Sequence, residues 1–498
     1  MISYFIHLIR TGPGPLKYLG NQEAAILLML LGAAAAIVIL KTTSSFFSLG
    51  RRQSNLNEKL RIKWARFKYR NRTDGVLAGY EWLSDNSRLR HTHVVGATGS
   101  GKTVLVEQLI SQDIKRGYGC LIIDAKGERE LYLRTKALCK SLGREKDLHL
   151  ISATYDKESS IWNPCDLGSV SELQSKFYNS AIYDQFHYAK AVEGGLLKAF
   201  STLERERGGD AFTIKDIAQT LKREFKGSAS ENLEGLYLDL ENLAGSEWAK
   251  ILGVNATKEV EARTLQMIDI IQQGKILFVD LPTEAKAVQS SRIGRLLLQE
   301  VMLISGLRKA IPNLNRGKPF CIYVDEFDAF ATPSFATFLN KGRSSGFMIT
   351  IAHQTLSQLD RIGEGFRGEV MGNCNGRFVF RQDEPDDAET WAKFIGTRSA
   401  VKQTYRTSDG RNTGESSNRE AEEYVIHPNV IKQLDVGECV FFSKSPRRLS
   451  RMRIPHEPQE INLDLNVIGG PEVVQRIKSN SSVEHSKARV LNEAMKGL

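Results

Sequence analysis

The stretch Val94-Val95-Gly96-Ala97-Thr98-Gly99-Ser100-Gly101-Lys102-Thr103 constrains this chain more than any other part of it. Gly96 and Gly101 bracket four residues ahead of Lys102-Thr103, which is the spacing of a phosphate-binding loop. A β-branched run leads in, and Val104-Leu105-Val106-Glu107-Gln108-Leu109-Ile110 leads out with helical spacing. Glycines let successive backbone N–H groups turn inward around phosphate oxygens, and the new helix adds its positive end. On this reading Gly96, Ala97, Thr98, Gly99, Ser100, Gly101, Lys102 and Thr103 hold the phosphates of a nucleoside triphosphate. Lys102 reaches the terminal phosphates, and the Thr103 hydroxyl ligates Mg²⁺.

A chain of 498 residues implies two or three domains. The net charge of +10 suits a polyanionic partner or a membrane surface and does not choose between them. The six cysteines, at 120, 139, 165, 321, 374 and 439, have no close pair, which argues against a zinc site or a disulfide framework. A reducing cytoplasm is the simple setting for them.

Residues 1–23 are apolar in places but broken by Arg10, Pro13 and Pro15. Ala24 to Leu40 is an unbroken apolar run, AAILLMLLGAAAAIVIL. As a helix it measures about 25 Å against a hydrocarbon core of about 30 Å. Lys41 can snorkel, and Thr42 to Leu49 with Phe46 and Phe47 can lengthen it, so 24–49 is expected to be a transmembrane anchor. A secretory signal is disfavoured by Glu23 and by a downstream loop that needs cytoplasmic ATP. Residues 50–75 read as a basic stem: Arg51 to Arg72 holds nine Lys/Arg against Glu58, whereas residues 1–23 hold only Arg10 and Lys17. The positive-inside rule then puts the rest of the chain in the cytoplasm, and the stem, with Trp64, Phe67 and Tyr69 among its cations, suits anionic lipid first, with nucleic acid or a plain solvated helix as the alternatives.

From residue 76 the pattern alternates between strands and helices, the signature of an α/β parallel sheet covered on both faces. Strands are expected at His93–Val95, Cys120–Ile123, Leu148–Ile151, Ile276–Val279, Phe320–Val324, Phe347–Ile351, Arg377–Phe380 and Cys439–Phe442. The nucleotide-binding core would occupy 76–169 and 265–457, interrupted by an all-α insertion over 170–264 with a turn at Gly208-Gly209. Val401 to Glu423 is polar, with Gly410 and Gly414, and reads as a mobile loop or irregular hairpin. Residues 458–498 read as a tail.

Three expected strands end in an acid: Asp124, Asp280 and Asp325. Phe320-Cys321-Ile322-Tyr323-Val324-Asp325-Glu326 is preferred because it supplies two carboxylates. Asp325 can hold the metal through its water shell, and Glu326 can polarise a water for attack on the γ-phosphate. The next strand, from Phe347, leads to Ala352-His353-Gln354, where Gln354 can bond the attacking water and His353 is the rival polar group. The loop Lys341-Gly342-Arg343-Ser344-Ser345-Gly346 offers Arg343 as an arginine finger for a neighbouring subunit or simply as a surface arginine; Arg377 is a further choice.

GATGSGKT at 96–103, LIIDAKGE at 121–128, IWNP at 161–164, YVDEF at 323–327, KGRSSG at 341–346 and AHQTLSQL at 352–359 follow one another behind the apolar N-terminal run. In that order they resemble the type IV secretion system coupling proteins, the membrane-anchored ATPases of conjugation, over residues 24–455. The resemblance implies a RecA-like P-loop NTPase motor core with an inserted all-α domain and an N-terminal anchor. It also implies ATP and Mg²⁺ as cofactors and a ring-shaped homo-hexamer at the bacterial inner membrane. The expected partners are DNA, relaxase or relaxosome proteins, the secretion channel and inner-membrane lipids. It places the arginine finger at Arg343 and the catalytic glutamine at Gln354. The chain departs from many relatives in offering one span rather than two around a periplasmic loop. Two alternatives are an FtsK-like DNA translocase, which would bring several spans and a sequence-reading C-terminal module, and a receptor that delivers protein substrates.

Overall fold

The structure, a computed structural model, describes residues 51–456 except 128, 184–185, 226–231, 255–262, 285, 312–313, 315–316 and 409–410. The chain divides into two units, Met1–Trp64 and Ala65–Leu498. The anchor expected over 24–49 and the tail over 458–498 lie outside the described residues. Helix α1 (Arg51–Tyr69), RRQSNLNEKLRIKWARFKY, carries charge along its whole length and has no acid in its first turn. Among the described residues no helix is long and apolar enough to cross a membrane. This corrects the inner-membrane localisation read from the sequence, for which no described helix supplies a span; α1 falls in the segment read as a basic stem.

In the second unit, β1 (Gly75–Ala78) and β2 (Glu81–Ser84) form a small hairpin. The next strands are β3 (Thr92–Val95), β4 (Gly119–Asp124), β5 (Leu148–Ser152), β6 (Ile276–Asp280), β7 (Phe320–Val324), β8 (Phe347–His353) and β9 (Gly376–Val379). They are followed by β10 (Thr397–Ser408), β11 (Arg411–Tyr424), β12 (Glu438–Lys444) and β13 (Arg447–Arg453). Nine of these make one sheet in the order β13-β12-β9-β3-β8-β7-β4-β6-β5. From β9 to β5 every pairing is parallel, while β12 and β13 add antiparallel at one edge.

The apolar runs expected to be strands all lie in this sheet, because a parallel strand buried on both faces needs apolar residues throughout. β6, β7 and β8 are buried at every position. The strand that the sequence hid is β13, RRLSRMR, where an edge position tolerates charge and uses it to deter further pairing.

Successive residues of each strand feed opposite faces. Leu121, Ile123, Ile322, Val324, Ile349 and Ile351 enter one core cluster, whereas Cys120, Ile122, Cys321, Tyr323, Met348 and Ala352 enter another. The second face is covered by α2 (Lys102–Lys115) and α3 (Arg129–Ser141). The first is covered by α4 (Val170–Asn179), α5 (Phe186–Arg207), α6 (Ile214–Glu224), α7 (Glu234–Gly245) and the long α8 (Ala287–Ala310). The helices from α4 to α7 share that core with the sheet rather than closing on one of their own. A buried pair fixes α4 to α8: Lys176 Nζ lies 2.9 Å from Glu300, which also accepts from Trp162 Nε1 at 3.0 Å.

Of the two readings offered for the polar segment Val401 to Glu423, the structure shows the irregular hairpin, drawn out as a long ribbon. β10 and β11 pair from Thr397↔Tyr424 to Ser408↔Arg411, with one irregularity between Tyr405 and Thr407. They form a separate two-stranded sheet with Arg398, Lys402, Arg419 and Glu420 exposed, so neither strand needs the apolar alternation that would have announced it.

Candidate nucleotide site

The phosphate loop leaves β3 at Val95 and becomes α2 at Lys102. Two of its glycines are required by space and backbone. A Cβ at Gly96 would lie 2.5 Å from Phe380 Cβ and 2.8 Å from Ser100 Oγ. Gly101 has φ 109° and sits against Gly437, whose Cα a Cβ would approach to 3.0 Å. The loop is pinned by Ala97 N donating to Arg381 O at 2.8 Å and by Gly437 N donating to Ser100 O at 2.8 Å. Lys102 turns back onto its own loop, donating to Gly96 O at 2.6 Å and to Ala97 O at 3.3 Å. Burial lowers the pKa of its amine, and the nearby Glu326 and Asp325 charges oppose that shift.

Sheet order brings the remaining groups in. β8 lies between β3 and β7, so the residue after β8 falls between the phosphate loop and the acids after β7. That residue is Gln354. Its Oε1 accepts from Thr98 Oγ1 at 2.9 Å, and its Nε2 donates to both carboxylate oxygens of Glu326 at 3.2 Å. Glu326 itself has φ 45° and ψ 52°, a left-handed conformation that costs a non-glycine residue about 1–2 kcal/mol. Such strain is held at sites where a side chain must be aimed, and here it aims the carboxylate at Gln354. Burial raises the Glu326 pKa, with Asp325 adding to the shift.

Asp325 and Thr103 meet on the other side of the loop. Lys126 Nζ donates to Thr103 Oγ1 at 2.5 Å and lies 3.2 Å from Asp325 Oδ2. Two hard oxygen donors thus converge on one cationic atom, which is the donor chemistry that Mg²⁺ takes when phosphates and water complete its shell. The other two strand-end acids have other partners. Asp280 accepts from Ser152 Oγ at 2.7 Å. Asp124, one strand beyond Asp325, is pushed up to about 7 by burial.

His353, the rival of Gln354, is a core group. It is fully buried, its Nε2 lies 2.6 Å from that of His93, and the two rings stack with centroids 4.8 Å apart. Burial pulls His353 down to about 4, so it is neutral at physiological pH.

The two arginines differ in kind. Arg343 is exposed on the turn Gly342–Ser345 ahead of β8, while Gln354 follows the other end of that strand, more than about 20 Å away. It therefore does not reach the phosphate loop of its own chain. Arg377 is fully buried, donates to Asn375 O at 3.1 Å and to Met371 O, and has Phe394 and Phe442 ring centroids 4.8 and 5.3 Å from its guanidinium carbon. This corrects its candidacy as a finger, since a guanidinium held in the core cannot project into a neighbour.

The residue that sequence reasoning passed over is Lys126. LIIDAKGE was noted as a motif, but no role was given to its lysine. The signal was its place, two residues beyond Asp124 at the tip of the strand that pairs with β7.

Phosphate loop, acid pair and an intervening glutamine strand on a parallel sheet define a P-loop NTPase core. Known proteins carry the comparison further. The family described as "TraM recognition site of TraD and TraG" matches residues 319–436, and "Helicase HerA, central domain" matches residues 85–146. The Type 4 coupling protein DotL of Legionella pneumophila is 23% identical over 64% of this chain and 50% of its own. The chain therefore spans half the length of that curated relative. The bacterial conjugative coupling protein TrwBdeltaN70 has the same fold, with a TM-score of 0.58 at 18% identity, covering 80% of this chain and 92% of that one. TrwB in complex with ADP and Mg²⁺ matches with a TM-score of 0.56 at 17% identity, covering 80% and 94%. The chain resembles the type IV secretion coupling proteins in sequence and in fold, as its motifs implied.

Proposed function

We propose that this chain is an ATP-hydrolysing motor of the coupling-protein kind, which works as a homo-hexameric ring. Its work is to move DNA, presented with a relaxase, into a type IV secretion channel. The observation that carries the reading is the hydrogen-bonded line Thr98–Gln354–Glu326 beside the Thr103–Asp325 oxygen pair. On this reading Lys102 leaves its loop carbonyls for phosphate oxygens, and Gln354 exchanges Thr98 and Glu326 for the γ-phosphate and its attacking water. Glu326 takes the proton of that water. Mg²⁺, held through Thr103 and Asp325, supplies charge neutralisation on the phosphates.

A ring is supported by Arg343, which lies too far from its own phosphate loop to serve it and is exposed for a neighbour. Mixing Arg343→Ala with Glu326→Gln subunits is expected to restore part of the turnover that each lacks alone, because some interfaces then combine an intact half from each. Subunit exchange is shown first with labelled chains. A mixed ring without any recovery counts against the finger.

DNA as cargo is supported by the +10 charge and by the β10–β11 ribbon, where Arg398, Lys402 and Arg419 are exposed and whose sequence also includes Arg406 and Arg411. The relaxosome partner is supported by the TraM-recognition match over 319–436, which contains that ribbon. Purified protein is expected to bind single- or double-stranded DNA without sequence preference and to hydrolyse ATP faster when it does. Both effects should fade between about 50 and 200 mM salt as phosphate counterions are retained. If oligomerised protein hydrolyses ATP but neither binds DNA nor responds to it at low salt, the DNA-pump reading falls. A receptor for protein cargo then becomes the better account.

A further inference from the structure

Both lysines of the nucleotide site lie on protein oxygens. Lys102 is bonded to two carbonyls of its own loop. Lys126 bridges Thr103 Oγ1 at 2.5 Å and Asp325 Oδ2 at 3.2 Å, the two groups that a phosphate-bound divalent ion would take. Its side chain is 29% exposed and that of Asp325 only 7%, so the bridge closes over a nearly buried carboxylate. An uncompensated carboxylate at this depth would be costly, and the lysine removes that cost. A second carboxylate stands close by: Lys126 N donates to Asp124 Oδ1 at 3.2 Å, while Asp124 Oδ2 is buried without a hydrogen-bond partner.

We propose that Lys126 is a built-in counter-cation for the metal position, holding Thr103 and Asp325 together until Mg²⁺ arrives with the nucleotide and displaces it. The proposal rests on the nucleotide reading and adds a positioning residue to it. A single ammonium and a divalent ion cannot both sit between these oxygens, because each needs the same lone pairs and the two cations repel. Metal binding at this site is therefore an exchange of one cation for another. The metal-free protein keeps its oxygen donors converged instead of letting Asp325 recoil from the phosphates.

The test measures ADP affinity with Mg²⁺ and with EDTA, in the parent and in Lys126→Met. Losing the internal cation should weaken metal-free binding and ease metal entry. The ratio of the EDTA to the Mg²⁺ dissociation constant should then rise about tenfold, the scale of one charge-assisted hydrogen bond. A second readout uses only the parent, so it holds even where the variant fails to fold. Acylation of the Lys126 amine, located by mass spectrometry, should quicken with Mg²⁺ and ADP and stay unchanged with ADP in EDTA. An unchanged affinity ratio, or labelling that slows with ADP whether or not metal is present, makes Lys126 an ordinary phosphate contact and overturns the proposal alone. No ADP binding by the parent under either condition removes the nucleotide reading, and this proposal with it.

Discussion

Glu326→Gln is expected to keep nucleotide affinity and slow ATP hydrolysis about 100- to 10,000-fold, the range typical of a lost general base. The substitution is nearly isosteric. Gln354 Nε2 now donates to both oxygens of Glu326, and the amide would retain one of those acceptors. The left-handed backbone at φ 45° should persist, since it is set by the turn after β7 and not by the charge. What disappears is the ability to take a proton from water, so bound ATP should accumulate uncleaved. Lys102→Ala is the contrast, because it removes the cation meant for the terminal phosphates and should lose binding as well. Single-turnover hydrolysis alongside equilibrium nucleotide binding separates the two. A Glu326→Gln protein that cleaves ATP at the parent rate would end the assignment of the base.

Arg88→Ala is expected to destabilise the fold by about 3–5 kcal/mol, the usual effect of removing one partner from a buried ion pair. Arg88 forks onto Asp113 at 2.7 and 2.6 Å and also donates to Tyr323 Oη at 2.9 Å; Asp113 is fully buried and Arg88 2% exposed. Tyr323 donates in turn to Asp113. The cluster ties α2, which starts at the phosphate loop, to β7, which delivers Asp325 and Glu326. Burial works to raise the Asp113 pKa, yet Arg88 and Tyr323 hold it below the ordinary value. The sign of the pH effect follows. A depressed carboxylate contributes stability above its unfolded pKa of about 3.9, and that contribution drains away as the pH falls through the folded value. The gap between parent and variant should be widest near neutrality and narrow below about pH 4. Denaturation midpoints at both pH values check this, and a gap that widens on acidification would contradict the assigned pair.

The parts legible in the sequence were those whose chemistry is local. Gly96 to Thr103 announce themselves because their spacing is dictated by phosphate geometry, and Asp325-Glu326 because an apolar strand ends in two acids. The buried strands were legible because both their faces demand apolar residues. His353 and Arg377 were not, since nothing in their neighbours along the chain says that α9 (Pro385–Ile395) and β12 close over them. Trp391 of α9 packs against His93, and Phe442 of β12 packs beside Arg377. The ribbon of β10 and β11 was obscure for the opposite reason, because two strands that pair only with each other carry no burial pattern. Lys126 was visible as a letter in a motif, but its role needs the strand order that sets β4 beside β7.

β8 has a consequence for how a ring of such subunits would keep time. Arg343 sits ahead of its first residue and Gln354 just beyond its last; all seven residues of the strand are buried, Phe347 to Ile351 paired with β7 and Thr350 to His353 with β3. Pairing of this kind resists stretching along the strand. On the function proposed above, a small advance of Gln354 on meeting the γ-phosphate would be carried along β8 towards the turn that bears Arg343. In the hexameric arrangement proposed above, one subunit's fuel gauge and its neighbour's trigger are the two ends of a single push-rod, and the firing order would be relayed by translation of one strand.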